Sequence, residues 1–189
     1  MDFTGHLSKI KSSLYVLDNF MSEDECDALL HFAKSTPSIF NDRSHHHPNY
    51  GIKGELGNYM SCGIVREYYP DIWDKITANK LINKFHVSEI QLNKYKKGTY
   101  IPPHRDMQSS LYTVVVPLQN EPLNKLVFGD PRAYYDNIPL EESDKEEMTI
   151  SLPDKKGIGY RFDGNAPIHW VPATHTLRYS AIFLYGASI

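Results

Sequence analysis

The hydrophobic pattern of this chain changes period near His86, and few folds accommodate that change. Upstream, apolar residues recur at helical spacing. In "SEDECDALLHFAKS", Ser22 and Glu25 form a capping-box signature, and Cys26, Leu29, Leu30 and Ala33 make one stripe. "YPDIWDKITANKLINKF" has helical character too, with Ile72, Ile76, Leu81 and Ile82 expected inside. Downstream, "VSEIQLNKY" alternates, with Ile90 and Leu92 on one face and Gln91, Asn93 and Tyr95 on the other. "LYTVVVPL" is a β-branched run expected to be covered on both faces, and "KGIGYRF" and "LRYSAIFLYG" read as further strands. "SLYVLDNFM" is an early short strand, and the acidic "LEESDKEEM" a solvated loop or helix face. The expected class is mainly β with N-terminal helices (α+β): a sandwich or barrel buttressed from one side.

At 189 residues the chain suits one domain, 1–189, with 1–86 as helical support and lid region and 87–189 as the β core. A net charge of −3 sets no global attraction to nucleic acid or an anionic membrane. No apolar stretch is long enough to span a bilayer, and "MDFTGHLSKI" lacks a signal-peptide pattern. Cys26 and Cys62, the only cysteines, read as reduced thiols of a cytoplasmic protein.

The chemistry concentrates in "YKKGTYIPPHRD", Tyr95 to Asp106. Pro102 and Pro103 favour extended backbone, in which residues two apart share a face. His104 and Asp106 then project together, with Arg105 turned away. Two such ligands and one more histidine make the 2-His-1-carboxylate face of a non-haem Fe(II) site. The third ligand is His169, in "FDGNAPIHWVPA", or His175, in "ATHTLRYS". Arg178 and Ser180 share a face of the last strand. The histidines 45–47 read as a solvated loop or a substrate lid.

In order, "NKYKKGTYIPPHRD", "KGIGYRFDGNAPIHWV" and "RYSAIFLYG" resemble the Fe(II)/2-oxoglutarate-dependent dioxygenases, in particular the prolyl 4-hydroxylase-like branch. The resemblance implies a double-stranded β-helix (jelly-roll) core. It implies Fe(II) on His104, Asp106 and His169, and 2-oxoglutarate as cosubstrate with O2. Arg178 would meet the distal carboxylate through its guanidinium fork. Ser180, Tyr95 and Asn93 would help to hold the cosubstrate, and ascorbate would be a stimulant. Tyr95, Tyr112, Val114 and Val116 are candidates for shielding the site.

The chain departs from the family in places. Collagen-type prolyl hydroxylases carry lysine where Arg178 stands. The second arginine of AlkB-type nucleobase demethylases is absent, with Leu184 in its place. The leading expectation is therefore a hydroxylase of an amino-acid side chain in a peptide, a protein or a free amino acid, with succinate and CO2 as coproducts. The alternatives are an oxygenase or demethylase of a nucleic-acid base and a non-catalytic cupin-like binding module. No membrane partner is expected, and the sequence carries no signal for oligomeric state.

Overall fold

The computed structural model describes residues 4–43, 58–106, 110–135, 140–163 and 167–186. The histidines 45–47 lie outside them. The chain order is α1 (Thr4–Ser13), β1 (Leu14–Leu17), α2 (Glu23–Ser35), β2 (Asn41–Asp42), β3 (Met60–Ile64), α3 (Pro70–Thr77), β4 (Val87–Tyr95), β5 (Ile101–His104), β6 (Tyr112–Pro117), β7 (Glu121–Gly129), α4 (Glu142–Met148), β8 (Thr149–Asp154), β9 (Gly159–Asp163), β10 (His169–Val171) and β11 (Arg178–Tyr185). Two sheets form. The major one runs β1-β9-β6-β11-β4-β3-β2 and the minor one β5-β10-β7-β8. Every pairing between these strands is antiparallel. This is a jelly roll, and the expected fold class holds.

The alternation in β4 sets both layers of the core. Ile90 and Leu92 point toward α2 and α3, where they join Cys26, Leu29, Ala33 and Ile76. Each aliphatic side chain fully buried there contributes roughly 1.5–3 kcal/mol. Tyr95 points the other way, between the sheets, with Val115, Phe128 and Phe162. α2 begins as its sequence predicts. Ser22 Oγ accepts from the Glu25 backbone N–H at 3.2 Å, and Glu25 Oε2 accepts from the Ser22 N–H at 2.8 Å. The acidic "ESDKEEM" forms α4, with only Met148 turned inward.

Three local expectations need correcting. α3 stops at Thr77, and Asn79, Asn83 and Lys84 take positive φ. The helical stripe therefore ends, and Leu81 is exposed while Ile82 is buried. The expected early strand is β1, which pairs with β9, but β2 and β3 are not expected from the sequence; β3 pairs with β4 and widens the major sheet. Val114 and Val116 face the helices. Between the sheets it is Val115 that faces inward.

Candidate metal centre and its pocket

β5 and β10 lie side by side in the minor sheet, with His104 directly opposite His169. Their rings are 4.3 Å apart between centroids. Asp106 follows β5 by two residues and turns its carboxylate between them. Its Oδ1 is 3.6 Å from His104 Nε2 and 3.5 Å from His169 Nε2. Donors about 2.1 Å from one ion at right angles stand roughly 3 Å apart, so Asp106 stands from each histidine at nearly the spacing of an octahedral edge, and all three donors lie within 4.8 Å of one another. Among the described residues, these three form the group with metal-ligand spacing. His175 is exposed and outside it.

The backbone fixes how each imidazole presents itself. His104 Nδ1 lies 2.8 Å from the Pro102 carbonyl, and His169 Nδ1 lies 3.1 Å from the Pro167 carbonyl. A carbonyl only accepts, so each Nδ1 carries the proton and each Nε2 offers a lone pair to the centre. Phe128 and Phe162 pack on His169 at 5.4 and 5.1 Å. Burial, with His104 beside it, lowers the His169 pKa to about 4, against an opposing pull from Asp106. Desolvation works to raise the Asp106 pKa, but His169 and His104 outweigh it and hold it below the usual carboxylate range. At neutral pH His169 is therefore neutral and Asp106 ionised, the state a divalent cation requires.

The triad opens into a cavity of about 250 Å³. β4 and β11 build its long wall, and their cross-strand register sets the pairs Arg178 with Tyr95, Ser180 with Asn93, Ile182 with Gln91, and Leu184 with Glu89. The four residues expected around the cosubstrate are thus neighbours across β4 and β11, and three of them, Asn93, Tyr95 and Arg178, line the cavity. Gln91 Nε2 donates to Asn93 Oδ1 at 3.2 Å, and Asn93 Nδ2 donates to Tyr95 Oη at 3.0 Å. Tyr95 stacks on Tyr59 at 5.8 Å and lies under the Arg178 guanidinium at 4.8 Å.

Arg178 departs from expectation in one respect. Its fork is already engaged: Nε donates to Asp154 Oδ2 at 2.7 Å and Nη2 to Asp154 Oδ1 at 2.9 Å. Burial alone would lower the Arg178 pKa, and Asp154, with Tyr95 assisting, more than reverses that. One nitrogen remains. Arg178 Nη1 is buried without a hydrogen-bond partner among the described residues, and so is Ser180 Oγ. Buried polar atoms are rarely left unpaired, and the one on Arg178, which lines the cavity, suits a bound acceptor. Sequence reasoning missed Asp154, which lies 24 residues from Arg178 and is brought to it only by the tertiary fold.

No protein-family model matches the chain, and no curated protein does. Solved structures do. A prolyl-4-hydroxylase from Pseudomonas putida is similar over 100% of both chains, with a TM-score of 0.63 and 13% identity. HygX from Streptomyces hygroscopicus, solved with nickel and 2-oxoglutarate bound, is similar over 98% of this chain and 87% of its own, with a TM-score of 0.58 and 11% identity. A prolyl hydroxylase from Trichoplax adhaerens, in complex with a hypoxia-inducible-factor peptide fragment, is similar over 97% of this chain and 86% of its own, with a TM-score of 0.58 and 11% identity. The chain has the fold of the Fe(II)/2-oxoglutarate-dependent oxygenases, in the compact form of the prolyl 4-hydroxylases, and its His104–Asp106–His169 group fits Fe(II).

Proposed function

We propose that this chain is an Fe(II)- and 2-oxoglutarate-dependent dioxygenase that hydroxylates an amino-acid side chain, with residues 1–189 acting as one domain. The observation behind this reading is that one cavity joins the three converging donors to Arg178, whose buried Nη1 has no hydrogen-bond partner among the described residues. His104, Asp106 and His169 would hold the iron. Bound iron and 2-oxoglutarate would supply O2 activation, and the coproducts would be succinate and CO2.

The protein's own tasks follow from its residues. Arg178 Nη1 and Ser180 Oγ donate to the distal carboxylate of the cosubstrate, and Asp154 keeps the guanidinium in place. Asn93 and Tyr95 line the same end and hold each other in orientation. Phe128 and Phe162 keep water from the back of His169. A peptide or amino-acid substrate is favoured by the likeness to a prolyl hydroxylase solved with a peptide.

The test is anaerobic addition of Fe(II) and then 2-oxoglutarate, watching for the weak visible charge-transfer band of the chelate. The band should form in wild type and fail in His169→Ala. Iron binding without a band would overturn the cosubstrate assignment, and no iron binding would overturn the triad.

A further inference from the structure

We infer that the outer half of the cavity binds a substrate carrying a carboxylate and, an aliphatic chain away, a cation: a long basic amino acid, free or at the C-terminus of a peptide. This rests on the dioxygenase reading and extends it to the substrate.

The charges in the cavity divide cleanly. Asp106 belongs to the triad, and Arg178 is matched by Asp154. Two charged residues remain on the lining, Arg43 and Glu89. Arg43 Nε donates to Ser61 Oγ at 2.6 Å, which fixes the guanidinium against β3. Among the described residues its terminal nitrogens have no hydrogen bond or ion pair, and neither has the Glu89 carboxylate. Both side chains are half-buried, so each has lost part of its hydration without gaining a counter-charge among the described residues.

Their placement selects the ligand. Ser61, which carries Arg43, pairs with Asn93, and Glu89 is four residues further along β4. Four residues of strand span roughly 13 Å. The α-carboxylate and α-ammonium of an amino acid sit on one carbon and cannot bridge that gap. A carboxylate on Arg43 and a side-chain ammonium or guanidinium on Glu89 can. Between them, Gln91 is polar while Ile182 and Leu184, half-exposed to the cavity, give the aliphatic chain an apolar face.

The experiment is calorimetry on the anaerobic Fe(II)- and 2-oxoglutarate-loaded protein. The probes are L-arginine, its neutral isostere L-citrulline, L-argininamide and glycylglycyl-L-arginine. L-arginine or the tripeptide should bind about tenfold or more tighter than both L-citrulline and L-argininamide, as expected for charge-assisted contacts at each end. Preference for the tripeptide over free L-arginine would identify a peptide C-terminus as the source. Glu89→Gln should erase the preference over L-citrulline, and Arg43→Gln the preference over L-argininamide. Equal affinities, or no binding by any of the four to protein that has bound 2-oxoglutarate, would overturn the inference and leave the dioxygenase reading standing. Failure to bind 2-oxoglutarate at all would overturn both.

Discussion

Asp154 and Arg178 bridge the two sheets of the jelly roll. One ends β8 in the minor sheet and the other begins β11 in the major sheet, and two hydrogen bonds of 2.7 and 2.9 Å join them. The pair is almost fully buried, with side-chain exposures of 1% and 2%. Breaking such a pair from one side strands a charge in the interior. Asp154→Ala should lose about 3–5 kcal/mol in chemical denaturation. The double variant Asp154→Leu/Arg178→Met removes both charges and should recover most of that loss. Recovery marks the loss as stranded charge rather than lost packing.

On the proposed function, the same bridge should affect cosubstrate binding. Asp154→Asn keeps the side chain's shape and one acceptor but removes the charge that aims the guanidinium. The concentration of 2-oxoglutarate needed for half-saturation should rise about tenfold, the scale of one charge-assisted contact, while Fe(II) affinity stays unchanged. A parallel loss of both affinities would mean that the variant had disturbed the fold rather than Arg178.

The triad predicts a sharp contrast among the histidines. His104→Ala and His169→Ala should each abolish Fe(II) binding, because each removes one of three converging donors. His175→Ala should bind Fe(II) as wild type does. Its backbone N–H donates to Asn124 at 2.8 Å while its side chain is exposed. Iron titration by anaerobic spectroscopy separates the three variants.

What was legible in the sequence followed from periodicity. The two-residue period of "VSEIQLNKY" put Asn93 and Tyr95 on one face, and the antiparallel register with β11 then placed Ser180 and Arg178 beside them. The Ser22–Glu25 capping box was legible because both partners lie within one helical turn. Other features depend on contacts between distant segments. Asp154 reaches Arg178 across 24 residues, and Arg43 reaches Ser61 across 18. Local pattern carries no record of either. Leu81 failed for a different reason: apolar spacing continued past Thr77, but left-handed backbone at Asn79 ended the helix.

The two thiols predict an alkaline limit to stability. Burial pushes the Cys26 pKa up to about 11, against the pull of Lys156, and the Cys62 pKa up to about 12, against the pull of Arg43. The unfolded chain releases these protons near 9, the ordinary thiol value, before the folded chain does. The stability linked to both is complete below that pH and is lost as pH rises through the folded values. The thermal midpoint should fall between pH 9 and 11, and Cys62→Ala should reduce the slope. In native protein neither thiol should react with a disulfide reagent at pH 8 until denaturant is added.

Two glycines with the same backbone angle should respond differently to alanine. Gly98 has φ +80° and open space where a Cβ would stand, whereas Gly157 has φ +79° and a Cβ there would run into the Met21 carbonyl. That carbonyl cannot easily move. Met21 donates its own N–H to the Gly157 carbonyl at 3.0 Å, and Gly157 donates to the Pro117 carbonyl at 3.1 Å, which ties the start of α2 to the end of β6. Gly98→Ala should carry only the left-handed strain, about 1 kcal/mol. Gly157→Ala adds the clash to the same strain and should cost about 3 kcal/mol or more. Equal losses in a denaturant titration would mean that the α2–β6 junction yields, and that α2 is held by its packing on Ile90 and Leu92 rather than by this pair of hydrogen bonds.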